Sequence, residues 1–452
     1  MEKYILFTAV GTTDPISNYR DGAILHICRK YKPEKIYLFF SKEMATYHNL
    51  DNRYFASIEK LVNTYEGYQP QKYELVYENL TDVHKFDEFY NVFESQVLLI
   101  QEENPEHTIL LNISSGTPAM KNALNLIATL NDDTIKAIQV RGPFEKSNPK
   151  KDDISKYDIQ AEWECNEDNN EETFIDRTSI EKGLNLTARI KKEIILKHIG
   201  VYDYHAALEV AKDIRPSMND TCFKLLKAAC NRLLLNEEGV TDALRGTDIK
   251  LSSVKKVKDR IIIEYILWLQ VKQKRKEYVD FIRGITPVVA DLFENILKSK
   301  LAIKPLDFCV KKKVDDGNIL YRVERSNLSL TEQGQEYLKV FDNSGYFRGG
   351  LNNSDLSSIH ILALMEHYYK GESTSLLQTM REIRTVETKV RNLAAHEIVS
   401  ITDDWIYKRC EHSSSQILKK IKKLTEFSGI NIKDSIWDSY DEMNDIIASY
   451  LI

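Results

Sequence analysis

Apolar runs of strand length alternate with helix-period segments through the first third of the chain. Tyr4–Val10, Ile36–Phe40, Tyr73–Tyr77, Thr108–Ile113 and Ile135–Val140 are short and apolar, and the intervals near 21–31, 42–63, 85–103 and 118–130 carry apolar residues at helical spacing. Strands buried on both faces need continuous apolar runs, so this alternation predicts a doubly wound parallel sheet. Between about Pro143 and Thr173 charges take over, as in Lys150-Lys151-Asp152-Asp153 and the acidic run Asn166–Glu172. An alternating patch inside that stretch, Tyr157–Trp163, predicts one more strand or a hairpin. Beyond about residue 175 the period is helical almost throughout, with breaks expected at Gly200, Pro216, Gly246, Gly284, Pro287 and Pro305. The fold class is therefore α/β followed by all-α.

One late helix pattern carries unusual chemistry. Leu376, Met380, Ile383, Val386, Val390, Leu393, Ala394 and Ile398 recur at spacings of three and four, and Arg391 sits on the shoulder of that stripe with His396 five residues on. At about 100° per residue, the two side chains would stand roughly 140° apart on a straight helix. Either the helix breaks near Asn392, a residue suited to N-capping, or two chains meet to build a composite cleft. A histidine moves protons near neutrality, and a fixed guanidinium can hold a phosphate and its growing negative charge. The pair fits cleavage of RNA by its own 2′-hydroxyl. The plainer account pairs Arg391 with Glu387 at i, i+4 and makes His396 an interface histidine.

Composition narrows the setting. The chain has 452 residues, 42% hydrophobic and 29% charged, with a net charge of −6. That length holds two or three domains, and that charge confines any polyanion contact to a local patch. Lys250–Lys276 is such a basic stretch, read first as a solvated helix face and second as a guide for RNA. The cysteines, Cys28, Cys165, Cys222, Cys230, Cys309 and Cys410, have no zinc-type spacing and read as reduced thiols. The start, Met1-Glu2-Lys3, runs into a strand and a turn rather than a secretory leader, and the most apolar stretch, Ile261–Leu269, is too short to span a membrane. A cytoplasmic protein is expected.

Two loops of the sheet complete the candidate chemistry. Gly11-Thr12-Thr13-Asp14-Pro15 follows the first strand, and Asn112-Ile113-Ser114-Ser115-Gly116-Thr117-Pro118-Ala119-Met120-Lys121 follows the fourth. Ligands of such sheets collect beyond the carboxyl ends of the strands. Thr117 and Pro118 suit the N-cap and first position of a helix whose positive end would face that crevice. Small residues admit a phosphate, Lys121 adds charge, and Thr12 and Thr13 offer hydroxyls. If the two strands are neighbours, both loops line one pocket. The blander alternative is a good strand-to-helix turn and nothing more. Neither a dinucleotide fingerprint nor an ATP phosphate loop is present.

An apolar strand ending in GTTDP, a loop reading NISSGTPAMK and a distant RNLAAH, in that order, resemble the CRISPR-associated ancillary ribonucleases of type III-A systems. The resemblance implies a Rossmann-like CARF sensor at 1–175, a helical linker domain at 176–290 and a helical HEPN ribonuclease domain at 291–452. It implies that Arg391 and His396, with Asn392 as a polar helper, cut single-stranded RNA without a metal. It further implies that Gly11, Thr12, Thr13, Asp14, Asn112, Ser114, Ser115, Gly116, Thr117, Pro118 and Lys121 hold a cyclic oligoadenylate, cyclic hexa-adenylate ahead of cyclic tetra-adenylate. A parallel homodimer, which the resemblance also implies, would join two R-x4-H motifs in one cleft. Some sensors of the family are thought to cleave their own activator, here through Thr12, Thr13, Asn112 and Thr117.

Two other classes compete with this reading. A non-catalytic nucleotide-sensing regulator or partner-binding module would show no ligand-stimulated RNA loss. A nucleotide-dependent enzyme in the sheet crevice would need acids or bases there, and only Asp14 offers itself.

Overall fold

A computed structural model describes residues 2–76, 85–131, 134–142, 156–181, 183–252, 254–313, 319–371, 374–396 and 399–451. The chain divides into two compact units, Met1–Ile190 and Lys191–Ile452.

The first unit is built on a six-stranded sheet of order β5-β4-β1-β6-β7-β8. Its strands are β1 (Tyr4–Ala9), β4 (Lys35–Phe40), β5 (Gln71–Val76), β6 (Thr108–Asn112), β7 (Ile135–Val140) and β8 (Thr178–Glu181), and a small hairpin pairs β2 (Ile16–Ser17) with β3 (Arg20–Asp21). The first five of the sheet strands run parallel, and β8 pairs antiparallel with β7. Side chains alternate between faces as the pleat requires. Ile5, Phe7 and Ala9 pack with Phe89, Phe93 and Val97 of α4 (Phe86–Glu103) and with Met120, Leu124 and Ile127 of α5 (Pro118–Leu130). Leu6 and Val10 pack on the other face with Ile24, Leu25 and Ile27 of α1 (Ala23–Tyr31) and Ile58 and Leu61 of α3 (Arg53–Val62). At about 1.5–3 kcal/mol for each large buried apolar side chain, these two layers hold the sheet rigid beneath its loops.

One expectation for this region is corrected. The patch at Tyr157–Trp163 is no strand: α6 (Ile159–Glu164) forms there because the Asp158 carboxylate accepts from the Gln160 and Ala161 amides as an N-cap. The helical pattern over 42–63 is formed by two helices, α2 (Lys42–Asp51) and α3, divided at the left-handed Asn52. Tyr77 and the Lys150–Asp153 run lie outside the described residues.

The chain enters the second unit within α7 (Leu184–Gly200). There follow α8 (Tyr204–Asp213), α9 (Asp220–Leu233), α10 (Glu237–Ala243), α11 (Val257–Lys274), α12 (Tyr278–Leu301), α13 (Arg325–Leu328) and α14 (Glu332–Asn343). The series ends with α15 (Ser358–Tyr368), α16 (Thr374–Val386), α17 (Asn392–His396), α18 (Asp403–Cys410), α19 (Ser414–Phe427) and α20 (Ser439–Leu451). A small antiparallel sheet of β9 (Val310–Lys313), β10 (Ile319–Val323) and β11 (Ser354–Asp355) interrupts them. The breaks expected at Gly284 and Pro287 do not occur, since both lie inside α12. Buried Ile282, Ile285, Val288 and Val289 anchor the helix on either side, and Gly284 serves packing: a Cβ there would meet the Trp268 ring at 2.8 Å.

Candidate functional site

In the first unit, β1 and β6 are parallel neighbours with Thr8 opposite Asn112, so the loops that follow them leave the same edge of the sheet. They touch. A Cβ on Gly11 would lie 3.0 Å from the Gly116 amide nitrogen, and Gly116 takes a φ of +90° that favours glycine. Thr117 caps α5 by accepting from the Met120 amide at 3.4 Å, and Pro118 opens that helix, as the sequence predicts.

The loop residues fall into two groups. Asp14, Asn112 and Ser115 are buried and brace the loops from beneath. Asp14 accepts from the Gly11 amide at 3.1 Å and the Ile24 amide at 3.1 Å. Burial pushes its carboxyl above the ordinary range, opposed by hydrogen bonds from Ser115 and those amides and by the Lys121 charge. Asn112 donates to Thr8 Oγ1 and Ser115 Oγ, and its Oδ1 accepts from the Ser114 amide. Ser114 is engaged as well, its Oγ accepting from the Val140 amide at 2.7 Å. Thr12, Thr13 and Pro118 are exposed, and Gly11, Gly116, Thr117 and Lys121 are half-buried. The surface offered to a ligand is thus two threonine hydroxyls, the opening turn of α5, a glycine turn and one lysine.

In the second unit, α16 does not end at Val386 but continues through a π-helical stretch, Glu387–Arg391, into α17. The break expected near Asn392 is absent: its φ of −63° and ψ of −41° are helical, and its amide bonds back to the Glu387 carbonyl. An i→i+5 bond widens the turn, so the residue four places on no longer stacks over the first. The pairing of Glu387 with Arg391 that the plainer account offered is absent among the described residues. Glu387 is buried and accepts from Ser358 Oγ and from Arg384 Nη1, the latter at 3.2 Å. Arg391 is half-buried, and its buried Nε has no hydrogen-bond partner among the described residues. Asn392 is exposed. His396 ends α17, with its side chain outside the described residues, as is Ile398. The helix between them is pinned from α12, where Arg283 Nε donates to the Ala394 carbonyl at 2.7 Å. Nothing in the sequence pattern singles out Arg283, Ser358 or the π stretch.

Other charged features have structural explanations. Among the described residues, the one cluster with metal-like geometry is Asp21, His26 and Asp168. Arginines occupy its carboxylates: Arg29 bonds Asp21, and Arg20 and Arg177 bond Asp168. The basic stretch on α11 is ion-paired in the same manner, Lys272 to Glu277 and Asp280, Lys274 to Asp441, and Arg260 to Glu237.

Comparison with known proteins agrees with this layout. Residues 72–178 match the Cas_Csm6 CARF domain, 182–233 the CRISPR-associated protein Csm6 6H domain, and 251–448 the Cas_Csm6 HEPN domain. These matches define a CRISPR-associated protein that joins a CARF sheet to a HEPN helical region. The CRISPR system endoribonuclease Csm6 of Mycobacterium tuberculosis is 31% identical over 448 residues, covering 98% of this chain and 97% of that protein. Csm6 of Streptococcus thermophilus is 37% identical over 204 residues, 45% of each chain. The chain belongs to the Csm6 endoribonuclease family. In fold it matches Enterococcus italicus Csm6 bound to cyclic hexa-2′-fluoro-hexa-dAMP, with a TM-score of 0.71 at 18% identity over the full length of both chains. Among the described residues, no helix is long and apolar enough to cross a membrane.

Proposed function

We propose that the protein is a metal-independent single-stranded-RNA endoribonuclease of type III CRISPR defence, switched on by a cyclic oligoadenylate. The observation that carries this reading is the state of Arg391. Its i, i+4 acid, Glu387, is taken by Arg384 and Ser358, and the Arg391 Nε has no hydrogen-bond partner among the described residues. A half-buried guanidinium with an unused Nε donor is suited to an anion. Arg391 holds the scissile phosphate, Asn392 assists, and His396 moves the proton as the 2′-hydroxyl attacks phosphorus. The 5′-oxygen leaves, giving a 2′,3′-cyclic phosphate and a 5′-hydroxyl. Arginine and histidine supply both the charge and the proton transfer, so no step requires a metal. A homodimer brings two motifs to one cleft.

The activator binds the crevice edge of the first unit, with Thr12, Thr13, Gly116, Thr117, Pro118 and Lys121 in contact and Asp14, Asn112 and Ser115 as braces. The E. italicus relative's cyclic hexa-dAMP ligand supports a ring of six over a ring of four. Activator binding biases the second unit toward a competent cleft, a coupling between distinct sites. The exposed Thr12 and Thr13 hydroxyls also suit slow cleavage of the activator; persistence of intact ring with an Arg391, His396 double variant would exclude that activity.

The deciding assay is cleavage of a fluorescent single-stranded RNA in EDTA, with cyclic hexa-adenylate, cyclic tetra-adenylate or no ligand, for the wild type and His396→Ala. Stimulation by one ring, lost in the variant, is expected. Indifference to both rings would favour a non-catalytic regulator.

A further inference from the structure

The second unit holds a polar groove of about 380 Å³ between α16 and α19. Its walls follow one spacing: Ser375, Gln378 and Glu382 lie on one face of α16, and Gln416, Lys419 and Lys423 on the facing side of α19. The cations outnumber the anion. Glu382 is matched by Lys420, whose Nζ lies 2.5 Å from Oε2, while Lys423 donates to the Ser375 hydroxyl, lies over the Phe427 ring and has no ion-pair partner among the described residues. Lys419 is exposed and has no ion-pair partner among the described residues. The pairing contrasts with α11, where acids neutralise Arg260, Lys272 and Lys274.

The groove and the motif share one helical run. Glu382 precedes Arg391 by nine residues on one continuous helical run. At about 1.5 Å per residue the two stand about 13 Å apart along the axis. His412 also lines the groove, and the Cys410 Sγ donates to its carbonyl. Exposed Lys389 lies in sequence between the groove residue Glu382 and Arg391.

We infer that this groove is a track for the RNA strand, in which Lys419, Lys423 and Lys389 bind phosphates flanking the one that is cut. The inference rests on Arg391 and His396 as the cleaving pair, and it adds where the rest of the strand lies. Lysines on rotatable stems, with glutamine amides between them, bind a backbone without reading bases, as a strand of arbitrary sequence requires. The acidic balance of the whole chain makes such a local stripe necessary.

The test separates binding from cutting. Anisotropy of a labelled all-deoxyribose strand, which presents the same phosphates but lacks the attacking hydroxyl, is followed against salt for the wild type and for Lys419→Ala/Lys423→Ala. Losing two phosphate contacts is expected to flatten the log–log salt slope by about 1.4. The loss of affinity should be large at low salt and fade at high salt. In cleavage of long RNA the double variant should raise KM with kcat held, and a dinucleotide substrate should be cut as by the wild type. Exposed Lys298→Ala/Lys300→Ala on α12 is the control for unspecific charge loss. Equal slopes for the wild type and the groove variant, or an equal change in the control, would overturn the track. Absent cleavage by the wild type with either activator would instead overturn the reading of Arg391 and His396, and the anisotropy result would stand by itself.

Discussion

Gly11 and Gly116 belong to different loops, and a Cβ on the first would lie 3.0 Å from the amide of the second. This contact fuses the loops into one floor. A side chain at Gly116 would meet the Ala9 Cβ at 2.8 Å and the Met120 Sδ at 3.1 Å, at a φ of +90°. Gly116→Ala should cost about 1–2 kcal/mol from the backbone alone, and overpacking adds to it. The expected result is a weaker activator affinity by calorimetry, with the response to ring concentration moved upward. Unchanged affinity would remove this loop from the activator site.

Arg391→Ala and His396→Ala act at the other end. Loss of a charge-stabilising donor lowers turnover by about 10²–10³-fold, and loss of an acid–base group by about 10²–10⁴-fold. Both variants should bind activator as the wild type does. Arg391→Lys keeps the charge without the planar fork and should fall between. Full activity in either alanine variant would sink the assignment.

Arg283 holds the turn between those two residues through the Ala394 carbonyl. Arg283→Met keeps the length of the side chain and removes the donor. A charged hydrogen bond is worth about 1.5–3 kcal/mol. A drop in kcat of tenfold or more with KM little changed is expected, because Arg283 positions the helix and does not touch RNA. A change confined to KM would contradict that role.

Local signals were legible and long-range ones were not. The Thr117 cap and the Pro118 start depend on adjacent residues, so the order of residue types predicts them. Four of the five parallel strands are apolar runs, the edge strand β5 being largely exposed, and their alternation with helices predicts the layers. β8 escapes notice because it is a half-exposed edge strand, Thr178–Glu181, with no apolar run. Asp14 reads as a ligand-facing acid in the sequence, yet its burial under Gly11 and Ile24 follows only from the folded loops. The π stretch has no composition of its own: it arises where buried Glu387 and Val390 must both be accommodated against neighbouring helices, so a straight-helix reading misplaces the partner of Arg391. A deletion of one residue within 387–391 tests its importance, and activity should be lost while helix content remains.

An all-deoxyribose strand should bind in competition with RNA and stay uncut, because the attacking hydroxyl is the substrate's own. EDTA should leave the rate on RNA unchanged, and the product should carry a cyclic phosphate. Efficient cutting of DNA, or loss of cleavage on chelation, would disprove this mechanism.

Glu294 on α12 makes a prediction about stability. Burial, reinforced by Asp291 one turn earlier, pushes its carboxyl up from 4.5 to about 7. Between those values the folded state keeps a proton that the unfolded chain has released, so stability falls as pH rises through that window. Above it the full cost of a charged, desolvated carboxylate is present. Glu294→Gln removes the titration. The variant should therefore melt higher than the wild type at a pH about one unit above 7 and show little advantage near the unfolded carboxyl's own value. A constant difference in Tm across that range would show that the Glu294 carboxyl titrates alike in the folded and unfolded chain.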